Sequence, residues 1–128
     1  MLQPQEVVVA KLLPTIRAKL AQELVRMYDM KQVDVAKALG ITQAAVSHYI
    51  TKSRGVDQEI LRRFPEIHGF VGDIARKIHD GLARSDQIAR IDRFCYDLMK
   101  TARFCEYHKK VGDMDPFCTA CFPEPPKP

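Results

Sequence analysis

Apolar residues recur every three or four positions along most of the chain, the period of helices that bury one face. Leu12, Leu13, Ile16, Leu20, Leu24 and Met27 predict a long first helix. Pro14 interrupts it in one of two ways. Either it sits in the first turn of a helix starting near Leu13, leaving Val7, Val8 and Val9 as a separate arm for a partner, or it kinks a helix that begins around Gln5. Val33, Val35, Ala36 and Leu39 form the stripe of a second helix that ends at Gly40. A third opens after Thr42, whose hydroxyl can accept from the free amides of the first turn, and buries Val46 and Tyr49. Ile60, Leu61 and Phe64 predict a short closing helix stopped by Pro65.

Beyond Pro65 the period resumes. Ile67, Phe70, Val71, Ile74 and Ile78 mark one amphipathic helix running toward Gly81, and Ser85 is expected to cap the next. There Ile88, Ile91, Cys95, Leu98, Ala102 and Cys105 make a heptad-like seam, which packs within the chain or against a second subunit. The expected fold class is all-α. Residues 1–64 form a helix-turn-helix bundle; residues 65–128 form a smaller helical, cysteine-bearing dimerisation region that ends in the frayed proline-rich tail PEPPKP.

The stretch Gln32 to Tyr49 carries the functional signal. Ala36 is small where two helices cross, and Gly40 stands at the turn, where a left-handed backbone suits glycine. With Val46 and Tyr49 turned inward, Gln43, Ala44, Ser47 and His48 are left on the opposite face of the second motif helix. That face is the one a helix-turn-helix inserts into the major groove of DNA. The basic turn Lys52-Ser53-Arg54-Gly55 is expected to lie beside the phosphate backbone. Charge agrees: up to Phe64, ten Lys and Arg face six Asp and Glu, whereas from Pro65 onward ten face ten. The excess positive charge is therefore confined to the half that carries the motif.

This segment resembles the phage-repressor-like regulators of the XRE type, in which a bundle of about five short helices carries the motif. In that family a glutamine opening the first motif helix contacts phosphate and braces a glutamine opening the second, which reads adenine. Gln32 and Gln43 occupy those places here. A glutamine amide offers one donor and one acceptor to the adenine edge. The candidate DNA-binding residues are thus Gln32, Thr42, Gln43, Ala44, Ser47, His48, Lys52 and Arg54.

All four cysteines, Cys95, Cys105, Cys118 and Cys121, lie in the last third of the chain. The Cys118-Thr-Ala-Cys121 spacing places two sulfurs at one tight turn, as metal sites commonly do. Two ligand sets compete. Four cysteines suit an iron–sulfur cluster, four-iron before two-iron, or a zinc site; Cys105 with His108 and Cys118 with Cys121 make a zinc set of three cysteines and one histidine. Ten residues of unbroken helix separate Cys95 from Cys105 by ~15 Å, so the four-cysteine set requires the helix to end between them, near Lys100-Thr101. The competing readings are ordinary ones: Cys95 as a small buried hydrophobe, and His108, before two lysines, as a solvated side chain.

In its whole length the chain is similar to a group of archaeal regulators that join an N-terminal helix-turn-helix to a cysteine-bearing helical tail. Cys95, then Cys105 with His108, then Cys118 with Cys121 match that tail in order, while Leu98 stands where a further cysteine can occur. The resemblance implies a bound iron–sulfur cluster or other metal that makes DNA binding respond to redox state or iron. The expected protein is a homodimeric, sequence-specific transcription regulator that binds a double-stranded operator and is not an enzyme. A regulator with a purely structural zinc is the alternative, and a thiol redox enzyme is the alternative of another class. No apolar run approaches the roughly 20 residues that span a bilayer, and no secretory signal is evident, so a soluble cytoplasmic protein is expected.

Overall fold

The computed structural model describes residues 2–51 and 56–118, and among these every regular element is helical. A first helical run has three parts: α1 (Pro4–Val7), a π-helical turn (Val8–Leu12) and α2 (Leu13–Arg26). Pro14 causes the middle part. It has no N–H to give to the carbonyl four residues back, and the preceding Leu13 N–H bonds instead to the carbonyl of Val8, five residues back. The second reading of Pro14 therefore holds. Val7 and Val8 are buried in the core, and no separate arm exists. Thr15 repairs part of the disrupted ladder by donating its hydroxyl to the Lys11 carbonyl at 3.0 Å. The same oxygen accepts from the Asp57 amide at 3.3 Å and so holds the start of α5 (Gln58–Arg63) against α2.

α3 (Gln32–Leu39) and α4 (Gln43–Thr51) pack on each other and on α2, and α5 closes this group. α6 (Glu66–His79) then lies along α2 and buries Ile67, Val71, Ile74, Ala75 and Ile78. α7 (Arg84–Met99) and α8 (Ala102–Val111) form a hairpin whose corner is Thr101. Its hydroxyl donates to the Leu98 carbonyl at 2.7 Å and accepts from the Phe104 amide at 3.2 Å, ending one helix and capping the next. The helix does break at Lys100-Thr101. One buried core runs from Val7 to Tyr107 and takes in residues of both halves of the chain.

The hairpin is fastened at several points. Phe70 of α6 and Phe94 of α7 stack at 4.0 Å, with their planes 7° apart. On α8, Phe104 and Tyr107 close around Phe64, their ring centroids 6.2 and 5.9 Å from it. Around this aromatic knot Arg103 pairs with Glu66, and Lys110 reaches Glu59 at 2.8 Å. His108 is buried, and its Nε2–H donates to the Leu2 carbonyl at 2.6 Å, tying the first helical run to the end of α8. Gly112 leaves room for the imidazole: a Cβ there would stand 3.1 Å from its Cδ2 and 3.2 Å from its Nε2.

Four local expectations are corrected. Met27 is 70 % exposed, because the chain leaves α2 there: Asp29 takes a left-handed conformation, the Met30 amide returns to the Leu24 carbonyl, and Met30 packs instead. Val33 is 40 % exposed, since 100° per residue puts it about 200° around the helix from the fully buried Val35. Ser85 lies inside the first turn of α7, behind the extended Ala83 at the N-cap. In the seam, Cys95 and Leu98 pack within the chain, but Ile88 is 63 % exposed.

The Arg103 guanidinium holds the Glu66 carboxyl below the usual carboxylate range, chiefly through their hydrogen bond. A depressed folded-state value contributes stability that is fully present above the unfolded glutamate value of about 4.3 and is lost as pH falls through the lower folded value. Because the pair is partly exposed, the effect is ~1 kcal/mol or less. Urea unfolding of the protein and its Glu66→Gln variant should therefore show a gap at pH 7 that closes on acidification below pH ~4.

Candidate nucleic-acid interface

The motif turn follows from the end of α3. Gly40 adopts φ 68°, ψ 33°, and its amide bonds to the Ala36 carbonyl, as does the Ile41 amide at 3.1 Å. This left-handed closure satisfies carbonyls that the last turn of any helix leaves open. Thr42 then caps α4, its Oγ1 accepting from the Ala45 amide at 3.1 Å. Val46 is fully buried, and Tyr49 and Ile50 are partly so. Burying a valine side chain contributes ~1.5–3 kcal/mol, which sets the rotation of so short a helix.

That rotation leaves Gln43, Ala44 and His48 exposed on α4, Ser47 half-buried beside them, and Thr42 exposed at the helix start. Gln32 is half-buried at the first position of α3. Both glutamines open their helices, where backbone N–H groups are unpaired and favour an anion such as phosphate. Lys52 and Arg54 lie outside the described residues.

Three polar side chains hold this unit in place, and none belongs to the motif. Gln22 of α2 donates from Nε2 to the Tyr49 carbonyl at 2.9 Å, fixing α4. Arg84 at the start of α7 donates from Nη2 to the Lys37 carbonyl at 2.6 Å, and its guanidinium lies against Gly40. Gln87, buried one turn on, donates from Nε2 to the carbonyls of Ala38 and Leu82, both at 3.1 Å. The second half of the chain thus closes the end of the first motif helix. The Gln22 contact had a signal in the sequence: Thr15, Ala18 and Gln22 share one face of α2, and all three are buried. Arg84 and Gln87 had none, since each acts across more than 45 residues.

The cysteines are placed differently from the reading faces. Cys95 is buried on α7; desolvation, with the Asp92 charge second, pushes its thiol up to about 11. As placed, Cys95 packs in the hydrophobic core. Cys105 is half-buried on α8 and Cys118 follows it in the described chain, while Cys121 lies outside the described residues. His108, the alternative ligand, is neither solvated nor available at Nε2, which Leu2 occupies. Among the described residues no three or more His, Cys, Asp and Glu side chains gather in a group that could hold a metal. The described part of the chain does not by itself assemble such a centre.

Residues 20–70 match a family model described as Helix-turn-helix. The matched segment covers the second half of α2, all of α3, α4 and α5, and the start of α6, and stops short of the cysteines. The match supports a DNA-binding transcription regulator that is XRE-like. No curated protein and no solved structure matches the chain. Among the described residues no helix is long and apolar enough to cross a membrane.

Replacing Gln87 by Met keeps the volume but removes the donor from two carbonyls. Gln87→Met should lower stability by ~1–3 kcal/mol in urea unfolding, and the amides of Gly40 and Ile41 should exchange faster with deuterium.

Proposed function

We propose that this protein is a sequence-specific transcription regulator, acting in the cytoplasm as a homodimer, that reads duplex DNA with the outer face of α4. One observation carries the reading: within the matched segment, Val46 points fully into the core while Gln43, Ala44 and His48 stand exposed on the other side of the same helix. Gln43 reads a base edge with its paired donor and acceptor, and Ser47 and His48 extend the contact. Gln32, the free amides at the helix starts, Lys52 and Arg54 take phosphate. A dimer follows from the few bases that one such helix can reach, because operators are read as paired half-sites.

Selection of bound duplexes from a random pool should yield a defined half-site. On that duplex Gln43→Ala should weaken binding by ~1–3 kcal/mol and relax preference at one position. Lys52→Ala should weaken binding evenly across sequences and reduce the salt dependence by about one phosphate contact. Enrichment of no sequence, with Gln43→Ala binding unchanged, would sink the reading.

A cysteine-held centre is a separate proposal, with an iron–sulfur cluster placed before structural zinc. Its support is the Cys118-Thr-Ala-Cys121 spacing and the end of α7 at Met99, which removes the rise of one continuous helix between Cys95 and Cys105. Protein purified without oxygen should carry iron with visible charge-transfer absorption, and Cys118→Ser should release it without unfolding the helix-turn-helix. Stoichiometric zinc with no visible absorption selects the structural alternative; neither metal removes the centre.

A further inference from the structure

Behind the motif turn lies a half-open cavity of about 360 Å³ between α2, the α3–α4 turn and α7. That volume is within the ~300–1,000 Å³ of pockets that take small molecules. Its floor is largely apolar: Val8, Leu20 and Cys95 are all nearly inaccessible, with the buried Gln87 amide, already committed to two carbonyls, beside them. Leu39, Ile41 and Ile91 form partly buried walls. The charged groups lining it, Arg17, Arg84 and Asp92, are exposed, as is Ile88 at the mouth. Two guanidinium groups face one carboxylate around an apolar interior, a rim with one net positive charge.

We propose that this cavity is a binding site for a small amphipathic monocarboxylate, a medium-chain fatty acid or aryl acid, with its apolar body on Leu20 and Ile91 and its carboxylate between Arg17 and Arg84. The charge excess selects a monoanion, and a guanidinium can hold a carboxylate through two parallel hydrogen bonds. Arg84 gives the site a consequence. It already donates to the Lys37 carbonyl at 2.6 Å and lies against Gly40, where a Cβ would come within 3.1 Å of the guanidinium. A bound carboxylate competes for that guanidinium, draws it from the end of α3, and loosens the turn that orients α4. Occupancy therefore weakens DNA binding, a regulatory consequence that rests on the proposed DNA-reading function; the site itself does not.

Calorimetric titration of the full chain with hexanoate, octanoate, decanoate and phenylacetate tests the site without DNA. At least one should bind with a dissociation constant below ~1 mM, shift the amide resonances of Gly40, Ile41 and Ile91, and bind about tenfold more tightly than its neutral alcohol. Arg17→Gln, on an exposed side chain, should cost about tenfold, and Ile91→Trp should block binding by filling the cavity. Arg84→Gln loses the Lys37 contact as well, so Arg17→Gln carries the test. Binding of no acid in the series, or equal binding of acid and alcohol, overturns the site. Saturating acid should weaken affinity for the selected duplex at least threefold in the parent protein and leave the Ile91→Trp variant unmoved; an unmoved parent overturns the coupling while the site stands. Absence of any duplex binding, with acid binding intact, faults the DNA-reading function instead.

Discussion

The end of α3 is the constraint on which the motif depends. Any helix leaves its last carbonyls without partners, and here that end must also turn within three residues into the helix that carries the exposed reading face. Gly40 and Ile41 meet the Ala36 carbonyl from within the motif; Arg84 and Gln87 meet Lys37 and Ala38 from α7. Neither half of the chain completes this junction alone. The glycine serves it twice, by adopting a left-handed backbone and by leaving room for the guanidinium.

The cysteine-bearing half is a brace for the helix-turn-helix. The start of α7 grips the motif turn, while α8 closes around Phe64 and pairs with Glu59 and Glu66 at the far side of the bundle. Whatever perturbs the α7–α8 hairpin is felt by α3 through hydrogen bonds to its own carbonyls. That route is short and requires no long relay of packed side chains. It also gives the buried Cys95 a role in packing, beneath the cavity that separates α7 from α2.

Sequence reading succeeded where a local rule has one strong determinant. Gly40 at the turn, Thr42 at a helix start, Val46 inside, and Pro65 closing α5 each follow from the backbone freedom, hydrogen-bonding capacity or burial of a single residue. The single seam from Ile88 to Cys105 does not hold, because Thr101 ends α7 and caps α8 and so divides it, a break that only the four-cysteine ligand set requires. Periodicity failed at the margins of its stripes, at Met27 and Val33, because it says which face is apolar and not where the chain departs from the bundle. Ser85 failed for another reason: contacts of Arg84 and Gln87 with α3 fix where α7 begins, and a local preference for serine yields to them. His108 looked exposed beside Lys109 and Lys110, yet it points the other way, into the contact with Leu2.

The wide turn at Val8–Leu12 shifts angular phase. One residue more than an ordinary turn rotates everything before it by about 100° relative to α2, and that rotation brings Val7 and Val8 onto the bundle. Deleting a single residue there, with Pro14 still unable to donate, would swing both valines toward water. Length in this segment is therefore as tightly constrained as composition, and natural variants should tolerate exchanges among apolar residues far better than insertions or deletions.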